Sequence, residues 1–439
     1  MNNDSFIYFL YQKDFSEKGN DRYFLYENNE FKEVDSEYIV NITSFIVTHD
    51  YWLIVSSLYN QQHKLPNKVI DVNLLARIAS GTKAKLGDNQ DWDISHAIKS
   101  LYSEKEDLEQ YFDMYYRRSK LEKDLYMLFS HKLAEYFEIL LKKSDKRDEL
   151  SRFFDLEIPV FNIFNLIAAK GISINNETLK QHKLNLKFEY YKELKKFSEN
   201  HNVLYELPSK EDIRDKLNEL GYDMENYSTD FVVDFLPSKN GYTEDLQKLQ
   251  KLYKSYQVFN NISSSSKKIT PIIETHSTST SRIYFKSPNI QNISRKYRDI
   301  FIADKNKKLS YIDYDQFEIG IMAALSDDKK MAEIYTNTDA YIDLSTVVFG
   351  NQSYRKKSKI LFLSYTYGMS IDKILESIKQ LGGNIQNAKS YFSEFDVFEK
   401  WKESLYEAYE TNGRIETICG NFLNRINEEN YLTRKKEVQ

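Results

Sequence analysis

The sequence of 439 residues carries 61 Lys and Arg against 66 Asp and Glu, which gives a formal net charge of −5. The chain has no overall positive charge of the kind that indicates a nucleic-acid-binding protein. Any surface for nucleic acid therefore has to be a local positive patch. The single Cys419 excludes a disulfide framework, no apolar run approaches the length of a membrane span, and the N-terminus shows no signal-peptide core. We therefore predict a cytoplasmic, globular protein of roughly two to four domains.

The N-terminal third, residues 1–147, begins with strand-like runs and becomes helical further on. Ser5–Tyr11 and Ser44–Thr48 are short runs rich in β-branched and aromatic residues, and helical periodicity starts near Leu74. Strands that come first, with helices after them, are typical of an α+β domain.

Three helices are predicted between residues 155 and 261. The first, Asp155–Lys170, has apolar residues at helical spacing and ends at Gly171, a residue suited to a left-handed C-cap. The long, charged patterns Leu179–Glu199 and Thr243–Asn261 follow. A run of four serines after them, Ser263–Ser266, is the clearest loop signal in the chain.

Lys248, Lys251 and Lys254 recur at three-residue steps in the last of these helices. Residues three apart on a helix lie near one face, so these ammonium groups can meet the phosphates of a nucleic acid together. The alternative is an ordinary solvated helix face, which a lysine stripe more often is.

The segment around Asp313 predicts a strand that ends in a carboxylate and leads into a helix. Leu309–Tyr314 is rich in β-branched and aromatic residues, while Gln316–Leu325 repeats apolar residues four apart. Taken alone, Asp313 is better explained as a turn residue at the end of a strand.

Further along, Arg355, Lys359, Leu363 and Tyr367 follow one another at steps of four. A helix holds such side chains near one face, here over a length of roughly 18 Å. That face is cationic at one end and apolar-aromatic at the other, and a nucleoside triphosphate has the same polarity, with phosphates at one end and a base at the other. The alternative, a solvated cationic face, does not account for the apolar continuation.

These stretches resemble motifs of the family A DNA polymerases, which include bacterial DNA polymerase I and many phage replicative enzymes. Asp313-Tyr-Asp-Gln-Phe-Glu318 is similar to motif A of that family, and Arg355-x3-Lys359-x7-Tyr367-Gly368 is similar to motif B. Four shorter elements occur in the order that the family has: Thr278-Ser-Thr-Ser-Arg282, Ser287-Pro-Asn289-Ile-Gln291-Asn292-Ile293, Asp339-Ala-Tyr341 and Val348-Phe349-Gly350. The likeness extends, more weakly, from about Asp155 to the C-terminus.

The resemblance implies an α+β fold with the palm, fingers and thumb of a right-hand polymerase, preceded by a 3′-5′ exonuclease-like α/β domain. In chain order we expect the exonuclease-like domain over residues 1–147, the palm entry and thumb over 148–270, and the palm with motif A over 271–330. The fingers with motif B would span 331–412, and a return to an incomplete palm would span 413–439.

The resemblance also implies roles in template-directed DNA synthesis. Asp313 and the carbonyl of Tyr314 would bind Mg²⁺, of which two ions are expected in a complete site, and Lys359 would assist the leaving pyrophosphate. Glu318 would fill the space of a ribose 2′-hydroxyl, and its alternative is an exposed helical charge. The residues implied in binding the dNTP are Gln316, Glu318, Tyr341, Arg355, Lys359, Leu363 and Tyr367.

Contacts to primer-template DNA are implied for two groups of residues. The first is the lysine stripe of Lys248, Lys251 and Lys254. The second group has ordinary turn chemistry as its alternative and consists of Arg282, Asn289, Gln291 and Asn292.

Several positions depart from the family pattern. Leu363 replaces an aromatic ring that meets the incoming nucleotide, Tyr341 replaces a His near the triphosphate, and Gly320 replaces an Arg. Ser281 stands where the family has Gly. The arginine run expected at Cys419–Leu423 is missing, which weakens the case for template-strand contacts there.

The exonuclease-like domain lacks the carboxylates of its chemistry, which needs four of them around two metal ions. The early Asp35-Ser-Glu37 lies too close to His49 to supply the first motif, and Ile54 stands where the second motif needs Asp. In the third motif the Asp becomes Ser119 or Lys120. We therefore predict an exonuclease fold without 3′-5′ exonuclease activity.

The sequence stops at Gln439, before the family's motif C with its second metal-binding Asp. One carboxylate cannot position two ions, so we expect a chain that is inactive alone, the N-terminal part of a split or truncated polymerase that a second polypeptide completes. We expect such a protein to be encoded by a phage and to act in a bacterial host. The alternative is an inactive remnant that binds DNA or a protein partner, and the reading frame immediately downstream would distinguish the two.

Overall fold

The computed structural model describes residues 6–16, 20–80, 93–146, 149–225, 227–276 and 282–424. Contacts divide the chain into two compact units. The first comprises Met1–Leu179, Asn261–Asp304 and Arg414–Ile426, and the second comprises Lys180–Asn260, Lys305–Gly413 and Asn427–Gln439. Each unit therefore draws on three separate stretches of chain, whereas the boundaries expected from the sequence are sequential.

Every strand among the described residues lies in the first unit. These strands are β1 (Phe6–Gln12), β2 (Arg22–Glu27), β3 (Glu30–Val34), β4 (Phe45–Thr48), β5 (Val69–Asp71), β6 (Ile172–Ser173), β7 (Lys268–Ile269), β8 (Ile272–Glu274), β9 (Tyr284–Ser287), β10 (Arg414–Glu416) and β11 (Phe422–Asn424). The helices of this unit are α1 (Ser36–Val40), α2 (Val55–Gln62), α3 (Val72–Ser80), α4 (Ile94–Ala97), α5 (Lys105–Tyr115), α6 (Lys123–Asp145), α7 (Leu150–Arg152) and α8 (Ile158–Lys170), with a π-helical stretch over Phe153–Glu157.

A five-stranded sheet with the order β3-β2-β1-β4-β5 organises the N-terminal part of the first unit. β1 pairs antiparallel with β2 and parallel with β4, and β4 pairs parallel with β5. β1 is almost continuously apolar and buried, as expected of a strand covered on both faces. The two strands predicted from the sequence near residues 5–11 and 44–48 are thus present as β1 and β4.

The helix predicted over Asp155–Lys170 is present as the π-helical stretch and α8, and Gly171 follows it with φ 67° and ψ 170°. The positive φ fits the expectation, but the ψ is extended, so the predicted left-handed C-cap is wrong. A Cβ at this position would lie 3.0 Å from the Ile269 carbonyl oxygen. Glycine therefore allows β6 to begin directly against β7, with Ile172 opposite Ile269.

The second unit contains helices and, among its described residues, no strands. They are α9 (Asn176–His201), α10 (Lys210–Glu219), α11 (Thr229–Phe235), α12 (Tyr242–Asn260), α13 (Phe317–Ser326), α14 (Lys329–Asn337), α15 (Ala340–Phe349), α16 (Arg355–Thr366), α17 (Ile371–Gln380), α18 (Ile385–Ser393) and α19 (Asp396–Asn412). Helices α9, α12, α13 and α16 correspond to patterns predicted from the sequence.

A buried carboxylate joins two of these helices. Asp328 is 1% exposed, and its side chain accepts a hydrogen bond from the Met331 backbone N–H at the start of α14. Its other oxygen accepts from the Phe398 N–H in the first turn of α19 at 3.0 Å. Both helix N-termini thus obtain a capping acceptor from one side chain, which fixes α14 against α19.

The strand predicted over Leu309–Tyr314 is absent. The segment is irregular, and its apolar side chains are strongly exposed, with Tyr311 at 75% and Ile312 at 89%. The prediction is wrong because a strand needs a hydrogen-bonded neighbour, and no strand among the described residues pairs with this segment. None of the described helices is long and apolar enough to cross a membrane.

Candidate active site

Two cations of α16 converge on one aromatic ring. The Arg355 guanidinium carbon and the Lys359 ammonium nitrogen each lie 5.5 Å from the centroid of the Tyr341 ring, which is almost fully buried on α15. Both distances suit cation–π attraction. The expected spacing of four residues therefore produces a cationic pair at the N-terminal end of α16, held over a ring that replaces the expected His.

Asp339 fixes this arrangement and was not singled out from the sequence as a site residue. Its Oδ1 accepts hydrogen bonds from the Tyr341 and Ile342 N–H groups and so caps α15. Its Oδ2 accepts a hydrogen bond of 2.9 Å from Arg355 Nε. In the sequence Asp339 appeared only as the first residue of the Asp339-Ala-Tyr341 element. An Asp at the start of a helix is typical of a cap and gives no sign of the ion pair.

The remaining two members of the α16 stripe lie further along the helix. Steps of four residues drift by roughly 40° around an α-helix. As a consequence Leu363 is half-buried against the core of the second unit, whereas Tyr367 at the C-cap of α16 is 40% exposed. The stripe is thus cationic and then apolar-aromatic, as its sequence predicted.

Gln316 links motif A to the start of α15. It has a left-handed backbone with φ 48° at the N-terminus of α13, and its side-chain Oε1 accepts a hydrogen bond of 2.8 Å from the Ala340 N–H. The amide nitrogen donates to the Thr338 carbonyl. Its amide therefore makes a structural bridge that brings motif A beside Tyr341.

Glu318 lies in the first turn of α13 and is half-buried. Burial, reinforced by the carboxylates of Glu318 and Asp339 and opposed by Arg355, raises the pKa of Tyr341 to about 12. The negative charge of Glu318 thus acts on the same ring that receives the two cations. Glu318, Tyr341, Arg355 and Lys359 form one electrostatic cluster within the second unit.

Asp313 and Tyr314 lie on the exposed segment before α13. The Asp313 carboxylate is exposed to solvent and accepts a hydrogen bond of 2.9 Å from the Tyr311 hydroxyl. Mg²⁺ prefers such oxygen ligands. However, the described residues contain no group of three His, Cys, Asp or Glu side chains placed to hold a metal ion. These residues alone do not fit a two-ion site.

Gly320 replaces an Arg of the family pattern, and the structure explains this departure. A Cβ at Gly320 would lie 2.6 Å from the ring of Tyr335, which covers this position from α14. No larger side chain fits there unless the ring moves.

The second group of residues expected to contact primer-template DNA lies in the first unit. Gln291 accepts a hydrogen bond from the Phe285 N–H and donates to the Ile283 carbonyl, so its side chain ties a turn to β9. Asn289 donates to the Tyr284 hydroxyl. Arg282 and Asn292 are exposed, and the neighbouring Thr278–Ser281 part of the motif lies outside the described residues.

The lysine stripe lies on the exposed side of α12. Lys248 forms an ion pair with Glu193 of α9 at 2.5 Å. Lys251 and Lys254 are exposed on the following turns. Part of the positive charge of the stripe is therefore neutralised within the second unit.

Two carboxylates that follow or end neighbouring strands of the five-stranded sheet serve structural contacts. Asp71, at the end of β5, is buried and accepts hydrogen bonds of 2.9 Å from the Tyr51 and Asn73 N–H groups. Asp50, which follows β4, lies 3.1 Å from Nδ1 of the buried His49. The partner of His49 on its other side is the Tyr111 hydroxyl at 3.0 Å, so aromatic side chains occupy this edge of the sheet.

Burial, reinforced by the charge of Asp50, raises the pKa of the Asp71 carboxyl from 3.8 to about 6. Between these values the folded chain binds more protons than the unfolded chain, so this group lowers stability as the pH rises through that window and has a constant effect above it. We expect the wild-type free energy of unfolding, relative to Asp71→Asn, to fall by on the order of 2 kcal/mol between about pH 4 and pH 6.5. Urea denaturation over this range measures the difference, and parallel pH profiles for the two proteins would contradict the assignment.

The sequence profile of DNA polymerase family A matches residues 176–439, which is more than half of the chain. Among curated proteins, the thermostable DNA polymerase I of Thermus filiformis is 27% identical over 160 residues, covering 33% of this chain and 19% of that protein. DNA polymerase I of Helicobacter pylori is 28% identical over 185 residues, covering 35% of this chain and 20% of that protein. The chain thus matches about a fifth of the length of these relatives.

A comparison with solved structures extends the likeness to nearly the whole fold. The POL domain of Pol1 from M. smegmatis, solved with DNA primer-template and dNTP, superposes with a TM-score of 0.70 at 16% identity. The superposition covers 95% of this chain and 77% of that one. The mixed, helix-rich fold is that of a right-hand polymerase, as the resemblance implied. By its profile match, the chain belongs to DNA polymerase family A.

Proposed function

We propose that this chain binds primer-template DNA and a dNTP and contributes its catalytic residues to template-directed DNA synthesis. The observation that carries the proposal is the cluster of Arg355 and Lys359 over Tyr341, beside Glu318 and the motif A segment. A pair of cations at one end of an apolar-aromatic helix face suits a nucleoside triphosphate. The M. smegmatis structure with primer-template and dNTP agrees with partners of this kind.

In this reaction a primer 3′-hydroxyl attacks the α-phosphate of the dNTP and pyrophosphate leaves. Arg355 can fork onto phosphate oxygens with the N–H groups that Asp339 does not use, and Lys359 can neutralise or protonate the leaving pyrophosphate. Glu318 would limit the space beside C2′ of the sugar. Asp313 and the Tyr314 carbonyl would hold Mg²⁺, which supplies charge neutralisation when the site is complete.

We further propose that a segment carrying a second carboxylate, supplied by another polypeptide or by more of this one, completes the site beside Asp313. The support is the exposed apolar surface there: Ile312 is 89% exposed, and Ile321 and Leu325 on α13 are each 41% exposed. Exposed apolar side chains beside a segment that joins no sheet among the described residues are suited to an added β-strand. The second candidate function, an inactive module that binds DNA, rests on the incomplete set of carboxylates.

Direct nucleotide binding tests the proposed dNTP site without requiring catalysis. We expect Arg355→Ala and Lys359→Ala each to weaken dATP binding by about tenfold or more, because each removes a charge-assisted contact to phosphate. Equilibrium dialysis with labelled dATP gives the dissociation constants. Lys356→Ala is the matched control, since this exposed lysine lies on a different side of α16. If all three variants bind dATP as tightly as the wild-type chain, the proposed site is refuted.

The exonuclease-like region is expected to lack 3′-5′ exonuclease activity. Its buried Asp71 and the paired Asp50 are bound to backbone and side-chain donors of the same region, and the described residues bring no third carboxylate to them. Incubation of the purified chain with an end-labelled single strand and Mg²⁺ should leave the strand intact. Degradation that Asp50→Asn abolishes would show that this region does carry the activity.

A further inference from the structure

Helix α9 is apolar on two sides. Its buried stripe packs against α12, where the Tyr190 ring stacks on the Tyr256 ring at a centroid distance of 5.4 Å. This stripe consists of Leu186, Tyr190, Leu194 and Phe197, each 6% exposed or less. On the other side Leu184 is 66% exposed, Phe188 70% and Tyr191 42%. A helix with two apolar stripes is normally covered on both, and within the described part of the chain the second stripe is left open.

The outer stripe continues into the loop after α9. Leu204 and Tyr205 are 74% and 55% exposed, and the Tyr205 hydroxyl donates a hydrogen bond of 3.2 Å to the Tyr191 carbonyl. We call this surface the outer α9 patch. Its members are Leu184, Phe188, Tyr191, Leu204 and Tyr205. Contiguous exposed apolar side chains of this kind mark interaction sites on soluble proteins.

The charge beside the patch is positive. Lys187 and Lys192 line a shallow groove of ≈ 560 Å³ together with Leu184, Phe188 and Tyr191. Two carboxylates of α9 lie away from this groove: Glu189 lies about 140° around the helix from Leu184, and Glu193 is buried and paired with Lys248. Glu206, which is exposed, follows Tyr205 in the loop after the helix. A second copy of the chain would bring these lysines against themselves, which disfavours self-association here.

We propose that the outer α9 patch is a docking site for an amphipathic helix of a partner protein, with acidic side chains flanking its apolar stripe. The steps of four and three residues from Leu184 to Phe188 to Tyr191 keep these side chains on one face of α9, and an apolar face of this kind packs against the apolar face of another helix. The flanking lysines select acidic neighbours. Single-stranded nucleic acid fits less well, because it stacks its bases on aromatic rings and gains little from the aliphatic Leu184 and Leu204.

The test uses the full chain and a labelled helical peptide with Leu in one stripe and Glu on both flanks. A peptide with Lys in place of Glu and a peptide of scrambled order are the comparisons, and fluorescence anisotropy measures binding. The variants are Phe188→Ser and the double variant Lys187→Glu with Lys192→Glu. Ile139→Ser on α6 is the matched control, since Ile139 is 46% exposed and lies in the first unit. These side chains are exposed, so the variants are expected to fold, which circular dichroism checks.

We expect the Leu/Glu peptide to bind the wild-type chain at least tenfold more tightly than either comparison peptide. Phe188→Ser should weaken this binding at least tenfold, Ile139→Ser should leave it unchanged, and the double lysine variant should prefer the Lys peptide. The proposal is overturned if the Leu/Glu peptide fails to bind or if the scrambled peptide binds equally well. It is also overturned if Phe188→Ser instead abolishes binding of oligo-dT or dissociates a dimer of the chain. None of these readouts depends on nucleotide binding or DNA synthesis.

Discussion

Primer extension by residues 1–439 alone is expected to be undetectable, while the binding of primer-template DNA is expected to persist. Synthesis by two metal ions needs carboxylates that position both. In the proposed site Asp313 would supply one ligand, and the described residues contain no group of three His, Cys, Asp or Glu side chains placed to hold a metal ion. Binding of DNA through phosphate contacts does not need that site and should weaken steeply as salt increases. We expect the extension rate to rise by at least about a thousandfold when a segment that carries a second carboxylate is supplied.

The C-terminal palm segment of a bacterial DNA polymerase I, expressed as a separate polypeptide, serves as the probe in this experiment. A gel-based primer-extension assay with the chain, the segment and Mg²⁺ measures complementation. Asp313→Asn should abolish the restored extension and leave the affinity for primer-template within about twofold, because an exposed carboxyl is replaced by an amide of the same size. Strong extension by the chain alone, if Asp313→Asn abolishes it, would show that another carboxylate of the chain acts as the second metal ligand. Asp315 and Glu318 would be the first candidates.

The cationic pair of α16 could be predicted from the sequence because the information for it is local. Arg355 and Lys359 are four residues apart, and α16 places both over one ring. The ring itself, Tyr341, was identified through the family resemblance and its position before Val348-Phe349-Gly350. In the same way α9 and α12 follow from long periodic patterns that a helix satisfies without reference to the rest of the chain.

The features that sequence reasoning missed depend on distant partners. A strand over Leu309–Tyr314 has the right residue types, yet strand formation is decided by a neighbouring strand that the described chain does not provide. The pairing of Asp339 with Arg355 joins residues of two helices, and its sequence signal is that of a helix cap. The fit of Tyr335 against Gly320 likewise becomes visible only when α13 and α14 are packed together.

Removal of the Glu318 side chain is expected to relax discrimination against ribonucleotides. Glu318 lies in the first turn of α13, close enough to Tyr341 for its charge to raise the pKa of that residue, and so borders the proposed binding region for sugar and phosphate. If its bulk fills the space beside C2′, Glu318→Ala should increase the ratio of GTP to dGTP affinity by about tenfold or more. Competition binding to the chain alone measures this ratio, and the complemented enzyme gives the same comparison for incorporation.

Glu318→Gln separates size from charge in this experiment. Gln has nearly the volume of Glu, so a steric gate should survive in this variant, whereas an electrostatic one should fail in both variants. The gate is also expected to be weaker than that of a relative with an aromatic residue at position 363, because Leu363 has no ring to confine the sugar. Leu363→Phe should therefore lower the GTP to dGTP ratio of the wild-type chain. A ratio unchanged by Glu318→Ala, with dGTP binding intact, would assign sugar selection to other residues.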